Sequence, residues 1–103
     1  MDFEDLKDFI ENKMKMQHVY QPVMIKTLLK SDKNRASTRV IAKEFSNLDE
    51  SQIDYYKVIT RQMPGRVLKK HGVVFETLDG YSLNISYLTE SQRMDLIDLV
   101  TRK

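Results

Sequence analysis

The chain has 103 residues, of which 41% are hydrophobic and 31% charged, with a formal net charge of +2, a composition typical of a globular domain rather than a fibrous or disordered chain. It has no cysteine and only two histidines, His18 and His71, which excludes a disulfide framework and a thiolate metal site and argues against structural zinc. No apolar run is long enough to span a bilayer, and the acid-rich start (Asp2, Glu4, Asp5, Asp8, Glu11) is the opposite of a basic leader, so a single cytoplasmic domain over residues 1–103 is expected, with no membrane contact.

Asp2 suits an N-cap, and Phe3, Leu6, Phe9, Ile10 and Met14 recur at helical spacing, predicting an amphipathic helix to about Met16. Its early acids and its late Lys13 and Lys15 match the two poles of the helix dipole. Gln21-Pro22 opens a second helix, with Val23, Met24, Ile25, Leu28 and Leu29 forming a wide apolar face, the expected core helix. The polar stretch 31–35 reads as a loop. Ser37 can then cap a helix carrying Val40, Ile41, Phe45 and Leu48. Asp49 and Gln52 form a capping-box pattern ahead of a fourth helix, with Ile53, Tyr56, Ile59 and Met63 on its stripe.

Residues 64–71 predict a short basic helix. Pro64 suits its first turn and Gly72 the left-handed position past its end. Met63, Val67 and His71 share one face with Leu68 beside them, while Arg66, Lys69 and Lys70 fall on the other, which predicts a buried stripe backed by a cationic one. Apolar runs on either side of Asp79-Gly80 predict a two-stranded hairpin that must pack on helices to be stable. Thr89 and Gln92 make another capping box, opening a final helix with Met94, Leu96, Ile97 and Val100 that ends at Arg102-Lys103. The fold class expected is mainly α with a small β-hairpin (α+β). Basic helix, glycine stop, strand and turn follow the order of a winged helix-turn-helix, here with extra N- and C-terminal helices.

The phrases Lys13-Met14-Lys15-Met16, Tyr20-Gln21-Pro22-Val23-Met24, Ser51-Gln52-Ile53-Asp54-Tyr55-Tyr56 and Met63-Pro64-Gly65-Arg66-Val67-Leu68 resemble the N-terminal domain of bacterial HNH nuclease and histidine-triad (HIT) proteins of the restriction-defence type. The resemblance covers almost the whole chain, from about Phe3 to Lys103. It implies a winged-helix fold and a targeting role in restriction or defence enzymes, including the sensing of modified bases. It carries no catalytic residue, because the catalytic module of those proteins would lie beyond Lys103 as a covalently linked nuclease domain.

The charge distribution supports a polyanionic partner. Lys26, Lys30, Lys33, Arg35, Arg39 and Lys43 span a region with only Asp32 and Glu44, and no acid lies between Lys57 and Glu76. The alternative is a set of solvated helix faces. Double-stranded DNA is the expected partner. Arg66, in the first turn of the basic helix, is the principal candidate, able to contact guanine or phosphate, or else to form a surface ion pair with Asp54 or Glu50. Lys69 and Lys70 are placed for phosphate. Arg61 borders the helix, and Gln62 is an adenine reader if it points outward. Arg39 and Ser37 could clamp the backbone, with Ser37 favoured as a plain N-cap. Tyr81, expected at the wing tip, could contact the sugar-phosphate or stack, though core packing is favoured. Of Tyr55 and Tyr56 only one can face the core, which leaves Tyr55 for a partner. His71 reads as helix-end capping, and Met14 with Met16 as core filling.

Paired carboxylates on strands, phosphate-binding glycine loops and nucleophile motifs are absent from the sequence. Glu76 and Asp79 have no lysine nearby in the strand, which argues against a nuclease metal site. The expected function is therefore duplex DNA binding without catalysis or cofactor. A protein-interaction or dimerisation module using Tyr55 and the terminal helices, and a small transcriptional repressor, are the alternatives; the oligomeric state is left open.

Overall fold

The computed structural model describes residues 1–14, 20–46 and 50–102. Lys15, Met16, His18, Leu48, Asp49 and Lys103 lie outside the described residues, as does the Asp49 half of the expected capping box. Six α-helices and three short strands follow in the order α1 (Phe3–Asp8), α2 (Tyr20–Lys30), β1 (Arg35–Ser37), α3 (Thr38–Ser46), α4 (Ile53–Gln62), α5 (Pro64–Lys70), β2 (Val74–Glu76), β3 (Gly80–Leu83) and α6 (Glu90–Thr101). The chain is mostly helical with one small antiparallel sheet, as the expected α+β class requires. Among the described residues no helix is long and apolar enough to cross a membrane.

Two helix starts behave as their residues dictate. Asp2 accepts from the Asp5 backbone N–H at 2.9 Å while the Asp5 carboxylate accepts from the Asp2 N–H, a reciprocal box that satisfies two otherwise orphaned donors. Thr89 and Gln92 do the same for α6. The first helix is shorter than its periodicity suggested. After Asp8 it widens into a π-helical turn over Phe9–Lys13, and Met14 is extended. Phe9, Ile10 and Met14 are all buried, as their spacing predicted, although the helix that carries them is not regular.

α2 is the central helix. Met24, Ile25, Leu28 and Leu29 have no exposed surface, each such burial stabilising the fold by about 1.5–3 kcal/mol. They join Leu6, Ile10, Ile41, Leu68, Val73, Leu83 and Leu96 in one continuous core. α6 is tied across the top of α2 by Arg93, which donates to the Leu29 carbonyl at 2.6 Å and to the side-chain oxygen of Asn34. Lys33 and Asn34 both hold positive φ (56° and 59°), and asparagine is among the residues that tolerate this region.

The stretch 31–35 is a turn up to Asn34, as expected of a loop, but its last residue, Arg35, opens a strand that was not expected. β1 pairs with β3 through Arg35↔Ser82, Ala36↔Tyr81 and Ser37↔Gly80, while β2 pairs with the other edge through Val74↔Leu83, Phe75↔Ser82 and Glu76↔Tyr81. The hairpin is therefore part of a three-stranded sheet of order β1-β3-β2. Every residue of the central strand β3 is buried, in place of the expected alternation. The turn is shifted by one residue. Thr77 donates its N–H to the Gly80 carbonyl at 2.8 Å, so Leu78 and Asp79 form the tip and Gly80 begins the strand. Gly80 is needed for proximity: a Cβ there would sit 2.1 Å from the Ala36 carbonyl oxygen.

The stripes of several helices also turn out differently. Met63 is 43% exposed and His71 is exposed, whereas α5 buries Pro64, Gly65 and Leu68. α5 approaches the core with this face because Gly65 lets it lie directly on Tyr81. Val40 and Met94 are likewise exposed. Gln52 stands at the N-cap of α4 without a side-chain cap bond, and Thr60, not Met63, completes the buried side of α4 by donating its hydroxyl to the Tyr56 carbonyl at 2.7 Å.

Candidate functional site

The end of α4, one face of α5 and the strand pair of the hairpin nearest its turn enclose a shallow concavity of about 400 Å³ lined by Arg61, Gly65, Arg66, Lys69, Lys70, Glu76 and Tyr81. Arg66 and Lys69 project there because they lie on the side of α5 opposite its contact with α2, and Arg61 reaches it from the last turn of α4. Four cations thus converge on one patch against a single carboxylate.

Tyr81 forms the floor. It is 5% exposed and not at the hairpin tip, which corrects its expected position; the tip is Leu78, whose side chain is fully exposed. Among the described residues the Tyr81 hydroxyl makes no hydrogen bond, and no fully buried side-chain polar atom is left unpaired. The hydroxyl must therefore open into the concavity. Burial raises its pKa above the usual tyrosine value, with the Glu76 charge adding to the effect and Arg61 and Lys69 opposing it. It is accordingly a neutral donor. Gly65 makes this arrangement possible, since a Cβ at that position would stand 2.6 Å from the Tyr81 hydroxyl and 2.6 Å from the Thr60 carbonyl oxygen.

Lys69 is not a free cation. Its ammonium donates to Glu76 at 2.7 Å, a partner on the adjacent strand that separation in sequence concealed. The hydrogen bond, and then the opposite charge, lower the Glu76 pKa and raise that of Lys69. The pair therefore persists below the pH at which an isolated glutamate protonates, and acid beyond that releases Lys69. Both groups are more than half exposed, so the pair governs local charge more than stability. Arg66, by contrast, forms no ion pair with Asp54 or any other described acidic side chain.

The remaining expected residues lie elsewhere. Gln62 is exposed but flanks a different pocket, on the opposite side of α5. Arg39 is exposed on α3 and does not line the concavity. The Ser37 hydroxyl accepts from the Val40 N–H at 3.1 Å, which is the cap role. Tyr55 is 56% exposed, its ring edge-on to Tyr56 at 5.1 Å, and Tyr56 packs with Tyr20 and Phe45. Val58, on the same outer face of α4, is also half exposed. His71 caps α5, its ring 5.5 Å from Phe9.

Sequence reasoning missed Gly65 and Glu76. A glycine inside a short helix beside a tyrosine-bearing strand was the only available signal for the first. Nothing local pointed to the second. No family model matches the chain, and neither a curated protein nor a solved structure matches it significantly.

Proposed function

We propose that this chain is a winged-helix domain that binds duplex DNA, serving as the targeting module of a bacterial restriction or defence nuclease whose catalytic step another module performs. The observation that carries the reading is the cationic concavity with the hydroxyl of a buried tyrosine opening at its floor. Guanidinium groups and a neutral donor converging on one spot are the chemistry that holds a phosphodiester oxygen. The order α2-β1-α3-α4-α5-β2-β3, with β1 paired to the hairpin, agrees with a winged helix. In this reading Arg61, Arg66 and Lys70 contact phosphates, and Tyr81 donates from the strand pair next to the turn of the wing. The outer face of α4, with Tyr55 and Gln62, faces the groove.

The test is a fluorescence-anisotropy titration of labelled duplexes at two salt concentrations. Three phosphate contacts give a slope of log affinity against log salt of about −3, and Arg66→Ala should lower its magnitude by about one. A flat salt response, or an unchanged slope in the variant, would overturn the reading. Glu76→Gln gives a second and opposite prediction. It frees Lys69 and should strengthen duplex binding about threefold to tenfold while steepening the slope by about one. Lowering the pH through the depressed Glu76 pKa should reproduce that gain in the parent protein and not in the variant.

A protein-docking reading draws on a different observation, the exposed apolar residues Tyr55, Val58 and Met63 on and after α4. Such a contact would be little affected by salt, so the same titration separates the two.

A further inference from the structure

On the flank of α5 away from the cationic concavity lies a second pocket of about 190 Å³, lined by Tyr20, Gln21, Gln62, Met63, Pro64 and Val67. Its walls are mainly apolar, with two carboxamides. Gln21 is 5% exposed and makes no hydrogen bond with any described residue, yet no fully buried polar atom is unpaired. Its amide therefore reaches solvent, and Gln21 lines this pocket. With no hydrogen-bond partner among the described residues, both its donor and its acceptor are available to a ligand.

We infer that this pocket takes a single unpaired nucleobase from the DNA strand whose phosphates occupy the concavity, an inference that rests on the DNA-binding reading. A carboxamide offers one donor and one acceptor side by side, the complement of a base edge. Tyr20 provides an aromatic face, and Met63, Pro64 and Val67 provide apolar contact for a planar ring. A cavity of about 150 Å³ holds a benzene ring, so the pocket has room for one six-membered heterocycle and none for a base pair. The two sites are separated by the width of one helix, about 10 Å, a span that a dinucleotide bridges. Arg61 and Gln62, adjacent at the end of α4, belong to the phosphate side and the base side respectively.

The test compares three labelled DNAs with the full chain: a perfect duplex, the same duplex with one bulged cytosine, and the same duplex with an abasic bulge. The cytosine bulge should bind about tenfold more tightly than either of the others. Gln21→Leu, which keeps the shape and removes the amide, should bring the bulge down to the perfect duplex without changing the latter. Val67→Phe, at the half-buried rim, fills the pocket and should do the same, so an unstable Gln21→Leu does not leave the question unanswered. Equal binding of cytosine and abasic bulges would show that only a kinked backbone is preferred, overturning the base pocket while leaving DNA binding intact. Equal binding of all three would overturn it likewise, as expected if the pocket instead receives an apolar side chain from a protein. Absence of binding to every DNA would remove both this inference and the reading beneath it.

Discussion

Gly80→Ala should destabilise the domain by about 3 kcal/mol, near the upper end for overpacking, and lower its melting temperature by roughly 10–20 °C. The methyl group would lie 2.1 Å from the Ala36 carbonyl oxygen and 2.6 Å from the Ser37 Cα. Both obstacles are backbone, so no side-chain rotation relieves the clash. The chain can respond only by separating β1 from β3 at the Ser37↔Gly80 pair. That displacement would also strain the Thr38 N–H bond to the Asp79 carbonyl, 2.9 Å long, where α3 begins. Thermal unfolding followed by circular dichroism measures the effect. A variant that melts within about 2 °C of the parent would mean that β1 does not hold the hairpin.

The largest effect on binding is expected from removing both arginines of the concavity. Arg61→Ala with Arg66→Ala should weaken duplex binding by about thirtyfold or more at low salt and reduce the salt slope by about two. Both side chains are exposed, so the melting temperature should change little. The two substitutions also leave Tyr81 deprived of the Arg61 charge that holds its pKa down, so the hydroxyl should titrate still higher. Anisotropy and melting curves on the same preparation separate a lost contact from a lost fold. Wild-type affinity in the double variant would place the phosphate contacts elsewhere, with Lys26, Lys30 and Arg39 the next cations to test.

Much of this architecture was legible in the sequence where the signal was local. Asp2 with Asp5 and Thr89 with Gln92 announced two helix starts, because a capping box is complete within four residues. The glycine stop at Gly72, with φ of 75°, was equally local. What could not be read depended on partners distant in sequence. β1 is three residues long and has no alternating pattern, and it exists only because β3 returns beside it. Met63 and Val40 fit apolar stripes by spacing yet stay nearly half exposed, while Gly65 is buried through the approach of Tyr81. In the candidate site the shared face of Arg66, Lys69 and Lys70 followed from helical spacing, with Arg61 legible only as bordering that helix. The neutralising Glu76 and the tyrosine floor did not, since both come from strands whose register is a tertiary property.

The way the hairpin is anchored has a consequence for how such a domain can diversify. Register is held by the pairing with β1 and by the close approach at Gly80, so the turn type of Leu78 and Asp79 is not what sets it. Leu78 is entirely exposed, and lengthening a surface loop costs only about 0.6 kcal/mol for each doubling. Insertions between Leu78 and Asp79 should therefore cost the fold little as long as the Asp79 carbonyl keeps its bond from Thr38. A lineage could alter what the hairpin touches there by drift and selection, while the sheet, the concavity and the core beneath stay as they are.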